Sequence, residues 1–244
     1  VAIVDTDPTQ TVYRWSQKEG KPEAITVYGV QDETSLLDAI DEADKTNHLI
    51  LIDVEGRASV LGNMAMSQSN LVIVPVQPSE PDGFEAAKTI RAIKTAGRAL
   101  NREIPFCAVM NRLPGAIRTK AFRGMLDQFE AGGVPVAALL TDREAYRRVF
   151  NEGGTLFTLV NITQAQEEQI EKATTEAYVF GEKIGLMVGL IKEGGGTTAS
   201  DEIADQAPEV FAKAAGQANV EAGQGGDVID NLADQELENM RKEA

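Results

Sequence analysis

The chain has 244 residues, of which 43% are apolar, and a formal net charge of -15. That length accommodates one large α/β domain and a tail, and no apolar run reaches the roughly 18 residues of a membrane span. Cys107 is the only cysteine, so no intramolecular disulfide can form and a reducing, cytoplasmic location is expected.

Residues 1–4, Val-Ala-Ile-Val, form a short apolar run closed by Asp5-Thr6-Asp7-Pro8. This is the pattern of a buried parallel strand that ends in a loop. Residues 9–19 contain no Gly or Pro and predict a helix with Val12 and Trp15 on one face. A short strand follows at 25–28. A helix is expected at 32–45, with Asp32 as N-cap and Leu36, Leu37 and Ile40 as its apolar face. Leu49-Ile50-Leu51-Ile52 is a third strand, again closed by an Asp, Asp53. Residues 58–67 predict a helix and 71–76 a fourth strand.

Asp82 is the expected cap of a long helix reaching residue 100. A strand at 104–110 ends in Asn111-Arg112. A helix at 117–131 stops at Gly132-Gly133, and 134–140 is the sixth strand. Asp142 opens a helix to about residue 150, and 163–192 predicts one long helix interrupted in composition by Gly181, Gly185 and Gly189. Strands alternating with helices in this rhythm imply an α/β fold: a doubly wound, mainly parallel sheet with helices on both faces. From Gly194 onward large apolar residues become scarce. The expected organisation is a domain over 1–192 and a flexible acidic tail with possible short helices over 193–244.

The carboxyl ends of strands are where ligands bind in open α/β sheets. Asp5 and Asp7 could hold a metal ion or a water there. Equally, Asp7-Pro8 could start the next helix, as N-cap and first-turn proline. An apolar strand closed by Asp53 has the form of a Walker B element, whose Asp holds Mg²⁺ beside nucleotide phosphates. Asn111 is either a turn former or a contact at the same sheet edge. Charge is uneven along the chain. Between Lys88 and Arg148 there are twelve basic and five acidic residues, whereas after Gly153 there are six basic and seventeen acidic. Lys88, Arg91, Lys94, Arg98 and Arg102 recur at helical spacing. Arg143, Arg147 and Arg148 form a second basic group, and both groups suit sequence-independent phosphate contacts.

Taken together, residues 1–10, Leu49–Gly56 (LILIDVEG), Leu71–Gly83 (LVIVPVQPSEPDG) and Val109–Arg112 resemble the ParA/MinD group of P-loop ATPases. Within it the chain is most similar to ParA-type plasmid partition proteins and their VirC-like relatives. The resemblance covers about residues 1–160. It implies ATP and Mg²⁺ as cofactors. Asp7 would orient the attacking water, while Asp53 and Asp5 would serve the metal. Asn111 and Arg112 would lie at the base, and Gln77 and Pro78 near the nucleotide or dimer face. It further implies a homodimer, non-specific DNA binding through Arg143, Arg147 or Arg148, and a ParB-like or relaxosome-type partner protein. Val54 and Glu55 depart from the family's usual residues after the Walker B Asp. No G-x-x-x-x-G-K-[ST] occurs in the 244 residues. In the family that element precedes the Asp-x-Asp loop by one strand–helix step, so the expectation is that this step lies upstream of Val1. The segment alone would then be inactive. The alternative is a scaffold protein that keeps the fold without nucleotide binding.

Overall fold

The computed structural model describes residues 1–56, 59–115, 120–159 and 163–191. Among these, six strands alternate with helices in the expected order. They are β1 (Ala2–Asp5), α1 (Thr11–Ser16), β2 (Thr26–Gly29), α2 (Glu33–Asp44), β3 (Ile50–Asp53), α3 (Val60–Gln68) and β4 (Val72–Val76), followed by α4 (Glu80–Ala99), β5 (Phe106–Leu113), α5 (Lys120–Ala131), β6 (Val136–Thr141), α6 (Glu144–Glu152) and α7 (Gln164–Met187). The tail expected over 193–244 lies outside the described residues. No described helix is long and apolar enough to cross a membrane.

The chain divides into two compact units. The first comprises Val1–Ser69 with Arg143–Thr174, and the second Asn70–Asp142 with the described residues from Thr175 to Ile191. Each has its own three-stranded parallel sheet.

In the first unit the order is β2-β1-β3. Val4 and Ala2 of the central strand are fully buried. β1 leads through α1 to β2 on one side, and β2 returns through α2 to β3 on the other. Because right-handed crossovers that reverse direction place their helices on opposite faces, α1 and α2 flank the sheet from both sides. Val4, Val30, Leu36, Ala39 and Ala65 form the core of this unit. The α2 N-terminus is as expected: the Asp32 carboxylate accepts from the Ser35 amide at 2.9 Å.

In the second unit the order β4-β5-β6 runs in one direction. Its odd-numbered β5 residues, Cys107 and Val109, pack with Ala137, Ala138 and Ile184 from the second half of α7. Two departures from even pairing occur along β5 and β6. Ala137 is an extra residue opposite the step from Ala108 to Val109. Further along, Asn111 and Arg112 stand opposite the single residue Leu140, and Arg112 takes a left-handed φ of 52°.

The starts of α4 and α6 differ from expectation. Ser79, not Asp82, caps α4, accepting from the Asp82 amide at 3.2 Å. Its hydroxyl also donates to the Asp82 carboxylate. Asp82 sits three residues inside, and its carboxylate accepts from the Ser79 hydroxyl and not from the Ser79 amide, which donates to the Gln77 carbonyl at 2.8 Å. Likewise α6 begins at Glu144 rather than Asp142, with Arg143 in the cap position and no side-chain cap.

Candidate functional site

β1 and β3 are neighbours in parallel register, with Asp5 opposite Asp53. Two carboxylates therefore leave adjacent strands at the same carboxyl edge, about 5 Å apart at the backbone. Asp7 adds a third carboxylate in the loop above them.

Asp5 is completely buried. Its Oδ1 accepts from the Asp7 amide at 3.1 Å, and its Oδ2 accepts from the Tyr13 amide at 2.8 Å. Tyr13 is the third residue of α1, so Asp5 supplies the helix cap that the N-cap residue Gln10 does not. Gln10 is left-handed, with φ 50°, and its side-chain amide donates to the carbonyls of Asp5 (3.0 Å) and Val30 (3.2 Å). A Cβ on Gly29 would meet the Gln10 amide oxygen at 2.2 Å. Gly29 is thus required by the same bridge.

Asp7 does not cap α1, which starts only at Thr11. Instead its Oδ1 accepts from the Thr9 amide at 2.7 Å and the Thr9 hydroxyl at 2.5 Å. The Thr9 hydroxyl first, and then the Thr9 amide, hold the Asp7 carboxyl below its ordinary range. Asp7 is therefore a stable anion and acceptor at neutral pH.

Asp53 behaves oppositely. Its pKa is raised, first by partial desolvation and then by the charges of Asp5 and Asp7. The carboxylate still reaches solvent. Three negative charges thus gather at one strand edge. No group of three His, Cys, Asp or Glu side chains among the described residues is arranged to hold a metal by itself.

Gln77, Pro78, Asn111 and Arg112 belong to the second unit. Val76 and Met110 are register partners, so Gln77 and Asn111 exit adjacent strands at one level. The Asn111 side-chain oxygen accepts from the Arg112 amide at 2.8 Å. This contact stabilises the left-handed turn at Arg112 and leaves the Asn111 amide nitrogen as the side chain's donor.

The basic residues are more committed than the sequence suggests. Arg148 makes a bidentate pair with Glu152, at 2.6 and 2.9 Å. Arg147 pairs with Glu144 at 2.8 Å and remains about half exposed. Arg143 donates to Gln169 at 2.9 Å. On α4, Lys88 pairs with Glu85 at 2.9 Å and lies over the Phe84 ring at 4.1 Å.

Sequence reasoning missed Thr6 and Gln10. Thr6 lies between the two acids, is buried, and bonds twice to the Asp53 carbonyl. The one available signal was a β-branched hydroxyl where the flanking strand is purely aliphatic.

A model of the family described as VirC1 protein matches residues 1–189. ParA of Rhizobium radiobacter is 28% identical over 185 residues, covering 75% of this chain and 83% of that protein. VirC1 of Rhizobium radiobacter is 28% identical over 170 residues, covering 66% and 72%. Maintenance of carboxysome distribution protein A of Halothiobacillus neapolitanus is 24% identical, covering 72% and 82%. Among solved structures, a Cyanothece McdA variant in complex with ATP aligns with a TM-score of 0.57 at 12% identity, covering 75% of this chain and 84% of that one. The septum site-determining protein MinD of Pyrococcus horikoshii, complexed with Mg-ADP, aligns with a TM-score of 0.53 at 16% identity, covering 79% and 86%. These structural likenesses establish the fold, and the family match extends over most of the chain. The chain belongs to the VirC1 protein family, is similar to ParA, and shares the fold of the MinD and McdA structures.

Proposed function

We propose that this chain carries the metal- and water-binding side of a ParA-type ATPase that partitions plasmid DNA or positions a DNA-transfer complex. The observation that supports this most is the gathering of Asp5, Asp7 and Asp53 at one sheet edge, where Asp5 and Asp7 oppose ionisation of Asp53. A cation relieves that repulsion. Mg²⁺ usually takes one or two protein carboxylates and fills its remaining positions with water and phosphate oxygens. A site without a complete protein cage suits it.

Mg-ATP would supply the phosphoryl group and the charge that neutralises its transfer. Asp53 would hold the metal. Asp7, held ionised by Thr9, accepts a hydrogen bond from a water and orients it. Asp5 would support the metal site indirectly, because both its oxygens hold the amides that shape the loop. By the family resemblance Asn111 and Arg112 would contact the base, and Gln77 and Pro78, on the neighbouring strand end, would lie near the nucleotide or the dimer face. ATP-dependent dimerisation, non-specific DNA contact through Arg143, Arg147 or Arg148, a ParB-like or relaxosome-type partner and a cytoplasmic location complete the reading. The domain would span 1–192 with the acidic tail beyond it. The 244 residues contain no G-x-x-x-x-G-K-[ST] cradle, so hydrolysis requires that element and this segment alone is inactive. The experiment is ATP turnover by the full-length protein with and without Asp7→Ala. Loss of turnover with retained ATP binding is expected. Unchanged turnover removes Asp7 from the role.

A second reading, a scaffold without nucleotide chemistry, is favoured by the full engagement of the Asp5 carboxylate by backbone amides. Calorimetric titration of the full-length protein with Mg-ATP separates the two, since a scaffold gives no binding heat.

A further inference from the structure

Thr6 stands between Asp5 and Asp7 and is 4% exposed. Its amide donates to the Asp53 carbonyl at 2.8 Å, and its hydroxyl donates to the same oxygen at 2.9 Å. Ladder pairing of β1 with β3 needs only the amide. The hydroxyl is an addition, at the point where the chain leaves β3 for Val54-Glu55-Gly56. A valine has the same shape and at least equal strand preference, so the hydroxyl is the one thing threonine adds here.

The rest of the Asp5–Gln10 loop is fastened elsewhere. The Asp7 amide is held by Asp5, and Gln10 bridges to Asp5 and Val30. Within the loop, the double bond from Thr6 is the tie to the end of β3. We propose that Thr6 is a positioning residue, whose clamp on the Asp53 carbonyl sets the spacing between the Asp7 carboxylate and the Asp53 carboxylate. The proposal rests on the ATPase reading above, in which Asp7 orients water and Asp53 holds the metal. Without the clamp, the two acids move with separate strands, and the water and metal positions lose their common frame.

The test uses the full-length protein with Thr6→Val and Thr6→Ser. In Thr6→Val, affinity for a non-hydrolysable ATP analogue without Mg²⁺ is expected to stay as in the unchanged protein. The Mg²⁺ concentration for half-maximal tightening should rise severalfold, and turnover should fall about tenfold, the loss of one well-placed hydrogen bond. Thr6→Ser keeps the hydroxyl and should restore all three. Equal Mg²⁺ response and turnover in Thr6→Val and the unchanged protein overturn the proposal. Amide exchange at position 6 reads the clamp without any nucleotide. Exchange should be faster in Thr6→Val than in Thr6→Ser, and equal rates overturn the clamp even if the protein proves not to be an ATPase. Failure of the unchanged protein to bind Mg-ATP, with the exchange difference intact, sinks the ATPase reading and the positioning role built on it, leaving a structural clamp.

Discussion

The indole nitrogen of Trp15 donates to the carbonyl of Gly154 at 2.9 Å, joining residues 139 positions apart in the sequence. One turn further along, the Lys18 ammonium donates to the carbonyls of Phe150 (2.6 Å) and Asn151 (2.8 Å). α1, which begins three residues after the Asp-x-Asp-Pro stretch, is thereby fastened to the C-terminal end of α6. The lysine charge at a helix C-terminus also complements the helix dipole.

Trp15 is buried. Replacing it with Phe keeps most of the apolar contact but leaves the Gly154 carbonyl without its donor. The expected loss is about 1–2 kcal/mol, against about 3–5 kcal/mol for Trp15→Ala. Denaturant midpoints followed by circular dichroism check both values.

Gly153 has φ 94°, and a Cβ there would lie 2.6 Å from the Glu19 carbonyl oxygen. Gly153→Ala combines a strained backbone with a collision against backbone, for a loss of about 2–4 kcal/mol. Gly181 lies inside α7, where an added Cβ meets nothing. Gly181→Ala should stabilise by about 0.5–1 kcal/mol through helix propensity. The two substitutions should therefore move the thermal midpoint in opposite directions.

Asp53 has a raised pKa in the folded chain. Between the ordinary value of 3.8 and the raised value, the folded state binds more protons than the unfolded one. Stability therefore falls as pH rises through that window, and the cost is complete above it and absent below 3.8. Asp53→Asn removes the repulsion at neutral pH. The expected outcome is a higher thermal midpoint at pH 7 and no gain at pH 3, alongside loss of any Mg²⁺ response.

Asp7 has the opposite sign. Its lowered pKa contributes stability that is present above the ordinary value of 3.8 and lost as pH falls through the lowered one. Thr9→Val removes the first cause of the shift, the hydroxyl bond, and keeps the amide bond. The Asp7 carboxyl should then titrate closer to 3.8, as followed by carbon NMR of the labelled side chain.

Arg147 remains about half exposed beside Glu144, whereas the Arg148 side chain is largely covered and bidentate to Glu152. If α6 contacts DNA phosphates, Arg147→Ala lowers the slope of log affinity against log salt by about 1, equally for unrelated duplexes. Arg148→Ala should instead weaken folding of the first unit, visible as a lower thermal midpoint without nucleic acid. A salt slope unchanged by Arg147→Ala removes that residue from the DNA surface.

Residue types and periodicity were enough to locate five of the six strands to within two residues and the fifth strand to within three, because short aliphatic runs closed by Asp, Asn or Pro have few other folded uses. They also located Asp5 and Asp53 at strand ends, which is a property of each strand alone. The family resemblance rested on the same local stretches. Side-chain partners at loop and helix starts were not legible. Asp7 and Asp82 each resemble a helix cap in sequence, yet the caps belong to Ser79 for α4 and to Asp5 for α1. A carboxylate's role depends on which amide it reaches, and that is settled only when β1, α1 and β3 are packed. The same holds for Thr6 and the Asp53 carbonyl, Trp15 and the Gly154 carbonyl, and the pairing of Arg148 with Glu152. The sequence by itself determined the alternation of elements, the apolar faces and the edge on which the acids lie. Tertiary structure alone decided which of those acids is a cap, which is an acceptor held by Thr9 and which is held against its neighbours' charge, because hydrogen bonding and desolvation are set by how the packed segments meet.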